Sequence, residues 1–269
     1  LGPAAGIEHH APVGPSYDLD AITHVLRASG CVAADEEAEE LMTAARDDGE
    51  LAAWVERRRT GEPLAWITGH ATFCGLSVAI EPGVYVPRWQ SEPLAELAAR
   101  LLPADGRAVD LCTGSGAVAL VMQSTHPAAT VMATEVDPRA AGCARRNGLV
   151  VYEGHLDEPL PQRLEAQVDV MTGVLPYVPS DALHLLPRDV QRFEPRLALD
   201  GGVGGLEVIE TVIHRTPRWL KPGGWLALEV GGDQVDPVTE LLVAAGFGLV
   251  EVLEDGDGDP RGVFGRLER

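Results

Sequence analysis

Lysine is nearly missing: Lys221 is the single lysine among 269 residues. Basic charge as a whole is scarce, 21 Lys and Arg against 41 Asp and Glu, which leaves a net charge of −20. Proteins hold a phosphate backbone by neutralising it with Lys and Arg, so this balance argues against nucleic acid as the partner. The one basic triplet, Arg57-Arg58-Arg59, reads as a solvated helix end. Cysteine is sparse too. Cys31, Cys74, Cys112 and Cys143 form no C-x-x-C pair, so neither a zinc knuckle nor a disulfide framework is indicated and no metal is expected. No apolar run is long enough to span a membrane and no signal-peptide pattern is present. The expectation is a soluble, cytoplasmic protein without a membrane partner.

Apolar residues make up 45% of the chain, enough for a proper core, and the length allows one large domain with a small one beside it. Residues 1–16, rich in Pro, Gly, Ala and His and without periodicity, read as a disordered tail that includes His9-His10. Residues 17–62 read as an N-terminal helical bundle. Leu19, Ile22 and Leu26 share one helical face, Leu41, Met42 and Ala45 a second, and Leu51, Trp54 and Val55 a third. Residues 63–88 change character. Trp66-Ile67-Thr68-Gly69 and Phe73 to Ile80 look β-like with glycine breaks, which suggests a hairpin linker. From 89 to 269 strands and helices alternate. Strands are expected at about 107–111, 130–135, 149–152, 168–173, 225–230, 248–253 and 262–267, and helices at about 92–102, 115–125, 138–147, 205–220 and 235–245.

Repeated strand–helix units imply a doubly wound, mostly parallel α/β sheet covered on both faces. The final two strands have only Asp255-Gly256-Asp257-Gly258-Asp259-Pro260 between them, so they must pair as an antiparallel hairpin.

The chemistry centres on Val109-Asp110-Leu111-Cys112-Thr113-Gly114-Ser115-Gly116-Ala117. An apolar strand ends on an acid, a glycine turn follows, and an apolar run resumes at helical spacing. Glycines let a ligand approach the backbone, and the free N–H groups of the helix start face it. Ala119 stands where the dinucleotide fingerprint has its third glycine, and an alanine is allowed there. Glu135 closes the next apolar stretch about 20 residues past the turn, where an acid meets a ribose diol. This is a Rossmann-like nucleoside-binding half. A nucleotide dehydrogenase and an S-adenosylmethionine enzyme both fit it, and the terminal hairpin favours the class I methyltransferase fold.

Four stretches together resemble the HemK family of protein-(glutamine-N5) methyltransferases, which act on release factors. They are Gly61-Glu62-Pro63-Leu64-Ala65-Trp66-Ile67-Thr68-Gly69 with Phe73; Val86-Pro87-Arg88 with Ser91-Glu92; Asp110 to Gly116; and Glu194-Pro195, Ala198-Leu199, Gly201-Gly202 with Lys221-Pro222-Gly223-Gly224. The similarity covers about 60–269 in register, and Pro176 to Ser180 is most similar to an actinobacterial side branch. The resemblance implies S-adenosyl-L-methionine as cofactor, with Asp110 near its amino group, Thr113, Gly114, Ser115 and Gly116 against its methionine end, and Glu135 on the ribose. Asn147 matches a family asparagine and equally suits a helix C-cap before Gly148.

Departures from the family pattern carry as much information. Its active loop reads N-P-P-Y, whereas the four positions here are Val174, Leu175, Pro176 and Tyr177. In the family the asparagine side chain and the following carbonyl accept the two N–H bonds of the glutamine amide, which aims its lone pair at the methyl carbon. Val174 has no acceptor; the Leu175 carbonyl remains, and Tyr177 can stack on a planar group. His155 stands where an acid usually contacts the adenine, with Asp157 close by, and Trp89 and Gln90 replace Pro and Glu at the expected substrate mouth. No general base is evident, His155 and His184 being candidates by chemistry alone. Three readings result: a methyltransferase on a protein of release-factor type, a small-molecule O- or N-methyltransferase with Val174, Leu175 and Trp89 lining an apolar pocket, and a non-catalytic cofactor-binding regulator.

Overall fold

The computed structural model describes residues 18–268; the tail at 1–16 lies outside them. The chain divides into two compact units between Thr68 and Gly69. In the first, α1 (Leu19–Ala28), α2 (Ala34–Ala44), α3 (Asp48–Arg59) and the short α4 (Leu64–Thr68) close on Ile22, Leu26, Ala38, Leu41, Leu51, Val55 and Ile67. Asp18 and Asp47 cap α1 and α3, their carboxylates accepting the backbone N–H of Ala21 and Glu50 at 2.7 and 2.9 Å.

Two expectations are corrected in this unit. Trp66, Ile67 and Thr68 belong to helix α4, not to a strand. Ala65, Trp66 and Ile67 are buried in succession, and a short apolar run on all sides has no period by which helix and strand differ. The arginine triplet is not simply solvated: Arg57 pairs with Glu62, Arg58 with Glu37 of α2, and Arg59 with Glu56. All three close the last turn of α3, where cations offset the carbonyl end of the helix.

The second unit begins with a hairpin, β1 (His70–Phe73) against β2 (Leu76–Ala79). Then α5 (Glu92–Leu101) leads into a seven-stranded sheet. In chain order its elements are β3 (Arg107–Leu111), α6 (Ala117–Thr125), β4 (Thr130–Glu135), α7 (Pro138–Arg146), β5 (Val150–Glu153), β6 (Val168–Gly173), α8 (Arg188–Phe193), α9 (Glu207–Arg215), β7 (Leu220–Glu229), α10 (Val235–Ala244), β8 (Phe247–Glu254) and β9 (Pro260–Leu267). The order across the sheet is β5-β4-β3-β6-β7-β9-β8. Strands β3 to β7 pair in parallel, and β9 inserts antiparallel between β7 and β8. The expected sheet and terminal hairpin are thus present. Val109, Met132, Met171, Leu226, Leu228, Ile209, Val238 and Phe247 form the main core.

Three boundaries differ from expectation for local reasons. Helix α6 starts at Ala117 because Gly114 and Gly116 hold left-handed φ of 58° and 90°. Helix α9 stops at Arg215 and tightens into a 3₁₀ turn around Pro217, which has no N–H for a further helical bond. Strand β7 begins at Leu220, ahead of the glycines of Lys221-Pro222-Gly223-Gly224, and absorbs them as a register shift opposite Val168 and Val170.

Candidate functional site

The strand order reverses at β3: β4 and β5 lie on one side, β6 and β7 on the other. Ligands of open α/β sheets bind outside the carboxyl ends of the strands at such a switch point. Three acids stand at the carboxyl ends of neighbouring strands here, Asp110 one residue before the end of β3, Glu135 closing β4 and Glu229 closing β7. All three carboxyls are buried.

Asp110 accepts a hydrogen bond from the Thr113 hydroxyl. Burial nevertheless dominates and pushes its carboxyl up to about 7. Glu135 Oε2 accepts from Gly114 N at 2.8 Å, and Oε1 from Val136 N and Asp137 N at 2.9 and 3.0 Å. Burial pushes Glu135 up as well, and those three N–H bonds oppose the shift. Glu135 thereby ties the glycine turn to the end of β4. The two glycines of that turn differ in purpose. A Cβ on Gly114 would project into open space, whereas one on Gly116 would fall 2.3 Å from Leu149 Cδ1, so Gly116 serves the packing of α6.

A cavity of about 150 Å³ opens at these strand ends. Asp110, Thr113, Gly114, Ser115, Glu135 and His155 line it, together with Val174 and Pro176 of the loop after β6. Gly116, Leu175, Tyr177 and Trp89 stand outside its lining. Leu175 is instead part of the main core at 1% exposure, which leaves its side chain no place in a pocket; only its backbone remains to act. Trp89 is 61% exposed and lies against the Arg261 guanidinium, 5.4 Å from ring centroid to Cζ. His155 is exposed, with Nδ1 3.7 Å from Glu158. Asp157 is committed elsewhere, to Trp219 Nε1 at 2.9 Å and to Arg215. Exposed His184 does not reach the cavity. Asn147 both ends α7 and does more: its amide nitrogen donates to Ser115 O at 2.8 Å and Ala79 O at 3.0 Å, fastening the glycine turn to β2. Among the described residues no group of three His, Cys, Asp or Glu side chains could hold a metal.

The loop from Val174 to Val178 is held from below. Gln234, 7% exposed, donates from Nε2 to Tyr177 O and Gly204 O, both at 2.9 Å, while its Oε1 accepts from Gly231 N. Gly201 and Gly205 let the surrounding backbone close in. A Cβ on Gly205 would lie 2.0 Å from Tyr177 O, and one on Gly201 2.6 Å from Pro176 O. Val174 packs its side chain against the apolar cluster formed by Leu94, Leu97, Ala227 and Leu253. The site therefore presents two carboxylates and a glycine turn on one side and an apolar wall on the other.

Sequence reasoning gave no site role to Tyr85, Leu197 and Ala198, which line the cavity, nor to Gln234 and Glu229, which are outside its lining. The Tyr85 ring carries the Arg88 guanidinium 5.3 Å from its centroid, and Arg88 in turn pairs with buried Glu194. Glu229 carries the same signal as Asp110 and Glu135, an acid closing an apolar run; the other four take their places from the fold.

No family model matches the chain. Curated relatives do. The release factor glutamine methyltransferase of Geobacter sulfurreducens is 36% identical over 219 residues, covering 79% of this chain and 76% of the relative. That of Pseudomonas aeruginosa is 39% identical over 221 residues, covering 79% of each. Among solved structures, a methyltransferase from Pyrococcus furiosus superposes with a TM-score of 0.52 at 19% identity, covering 73% of this chain and 91% of the other, a likeness of fold.

Proposed function

Because this chain belongs to the release factor glutamine methyltransferase family and is a methyltransferase, we propose that its cavity holds S-adenosylmethionine and that its acceptor is not a glutamine amide. The residues present fit that cofactor. Gly114 offers backbone with no Cβ in the way, buried Asp110 offers a carboxylate for the amino group, and Glu135 keeps acceptor capacity for ribose hydroxyls beyond the three N–H groups it already holds. When bound, the cofactor supplies an electrophilic methyl on sulfonium. Asp110 binds the ammonium, Glu135 orients the ribose, and the Leu175 carbonyl takes one N–H or O–H of the acceptor.

The observation that carries the altered acceptor is the apolar setting of Val174 among Leu94, Leu97 and Leu253. An amide nitrogen becomes nucleophilic only when both of its N–H bonds meet fixed acceptors, and Val174 removes one of them. The neighbouring hydroxyls do not restore it: Ser180 is bound to Asp200, and Thr172 is fully buried. Ordinary family activity is tested directly with labelled cofactor and a glutamine-containing release-factor fragment. Turnover near 1 per second, typical of enzymes, would overturn the proposal; transfer at the background rate supports it. The helical unit α1 to α4 is proposed to help recruit the acceptor, whether a protein or a small molecule.

Glu135→Ala is expected to weaken cofactor binding by about 10-fold to 100-fold, since a hydrogen bond to a charged group contributes about 1.5–3 kcal/mol. Glu135→Gln, whose single acceptor oxygen can still take the N–H groups of Val136 and Asp137, should lose less. Calorimetry with S-adenosylhomocysteine compares the three proteins, and equal affinities would remove Glu135 from the site.

A further inference from the structure

The cofactor reading gives the ammonium to Asp110 and the ribose to Glu135, and it leaves the sulfonium cation without a partner. The cavity lining limits what that partner can be. Among the described residues it contains four acids, Asp110, Glu135, Asp137 and Asp200, and no Lys or Arg. A cleft lined by one sign of charge suits a ligand of the other, here a cation. Two of the acids are engaged at the rim: Asp137 accepts the N–H of Arg139 at 2.8 Å, and Asp200 pairs with Arg196. The aromatic side chains of the lining are Phe73, Tyr85 and His155. Phe73 is 1% exposed at the end of β1, and His155 is exposed beyond β5, beside Glu158. Tyr85, in the segment before α5, is half-buried. Its hydroxyl stands within electrostatic reach of Glu229, which closes β7, and of Tyr177 in the active loop. Of the three rings, Tyr85 is therefore the one on the acceptor side.

The ring is held from outside the cavity. Arg88, which is not part of the lining, donates to the Tyr85 hydroxyl with its Cζ 5.3 Å from the ring centroid. Arg88 in turn pairs with Glu194, whose side chain is 2% exposed. The guanidinium charge is thus matched by a buried carboxylate, and the ring is left to face the cavity in one orientation. Such preorganisation lowers the entropy cost of any contact the ring makes. Resting on the cofactor reading above, we propose that the Tyr85 ring is the seat of the sulfonium, and that through it the site tells the charged cofactor from its neutral demethylated product. A cation within about 6 Å of an aromatic face is attracted by the ring quadrupole, more strongly as water is excluded. A thioether carries no charge and gains none of this attraction. Once the methyl group has passed to the acceptor, with the carbon–sulfur pair left on sulfur, the ring's hold on that sulfur ends.

The experiment needs no identified acceptor. Calorimetry on the full chain measures S-adenosylmethionine and S-adenosylhomocysteine against the wild type, Tyr85→Phe and Tyr85→Leu. The readout is the ratio of the two affinities, because a merely structural role of Tyr85 would change both alike. Tyr85→Leu should shift that ratio against the charged ligand by about 5-fold to 30-fold, the range of a cation on a ring partly withdrawn from water. Tyr85→Phe, which keeps the ring, should keep most of the ratio. Fluorinated phenylalanines placed at position 85 preserve the shape and drain the ring face of electron density, so the ratio should fall with each added fluorine. An unchanged ratio in Tyr85→Leu, with S-adenosylhomocysteine still bound, overturns this inference alone. A loss as large in Tyr85→Phe as in Tyr85→Leu assigns the effect to the hydroxyl and overturns it too. Should Tyr85→Leu fold poorly, the fluorine series decides, and a flat series overturns the proposal. Failure of the wild type to bind either ligand overturns the cofactor reading and this inference with it.

Discussion

Val174→Asn is expected to raise methyl transfer to a glutamine-containing release-factor peptide about 100-fold to 1000-fold, the effect of one fixed hydrogen-bond partner at a developing charge. Valine and asparagine are close in volume, so the change is one of polarity. Val174 is only partly buried and lines the cavity, which leaves the new amide a wet side toward which to turn. The other part of its surroundings, Leu94, Leu97 and Leu253, is apolar. Any share of the amide buried there without a partner costs up to about 1–3 kcal/mol of stability. The variant should therefore gain the amide reaction and lose some resistance to urea. The measurement is single-turnover transfer of labelled methyl to the peptide by both proteins. Equal rates would mean that position 174 does not govern the amide, and the altered-acceptor reading would fall.

Cofactor affinity is expected to drop by about 50-fold between pH 7 and pH 5, the slope approaching a tenfold loss per pH unit. The cause is Asp110, whose carboxyl burial holds at about 7. On the proposed reading the amino group of the cofactor binds the charged carboxylate, so below pH 7 binding must first expel a proton, and above it the affinity levels off. The linkage to stability runs the opposite way. A folded pKa raised above that of the unfolded chain gives a contribution that is full below about pH 4, the unfolded carboxyl value, and lost as pH rises through 7. Ligand-free protein should lose this contribution across the same interval in which it gains affinity. Asp110→Asn should show weak and pH-independent binding. Calorimetry from pH 5 to 8 checks both proteins, and a flat wild-type profile would detach Asp110 from the ammonium.

What could be read ahead of the fold was whatever a short window encodes. Asp110 and Glu135 were visible because each ends an apolar run, at spacings that a glycine turn and one helix impose. Glu229 ends Leu226-Ala227-Leu228 in the same way, and the same reasoning applied to β7 would have found it. Leu175 was misplaced because adjacency in a motif says nothing about which way a side chain turns; the strand face sends Val174 to the cavity and Leu175 to the core. Gln234 was invisible for a different reason. It is a polar residue in a turn, and only the return of β7 beneath the active loop brings it within 2.9 Å of Tyr177 O. Asn147 was half legible, as a cap, while its bonds to Ser115 and Ala79 span 32 and 68 residues.

The placement of β9 between β7 and β8 bears on how the protein is made. As the ribosome extends the chain, β8 emerges before β9, yet in the sheet β8 pairs only with β9. Until β9 is synthesised, β8 has no backbone partner and the edge of β7 stands open, the kind of unpaired edge that recruits foreign strands. Leu253 of β8 is part of the apolar wall behind Val174, and Arg261 of β9 faces Glu229. The nucleoside-binding half, β3 to β5, can therefore be complete on a nascent chain that still lacks its acceptor wall. Such a chain has one half of the sheet in place before the wall that packs beside Val174, and the emergence of β9 is the step that joins the two.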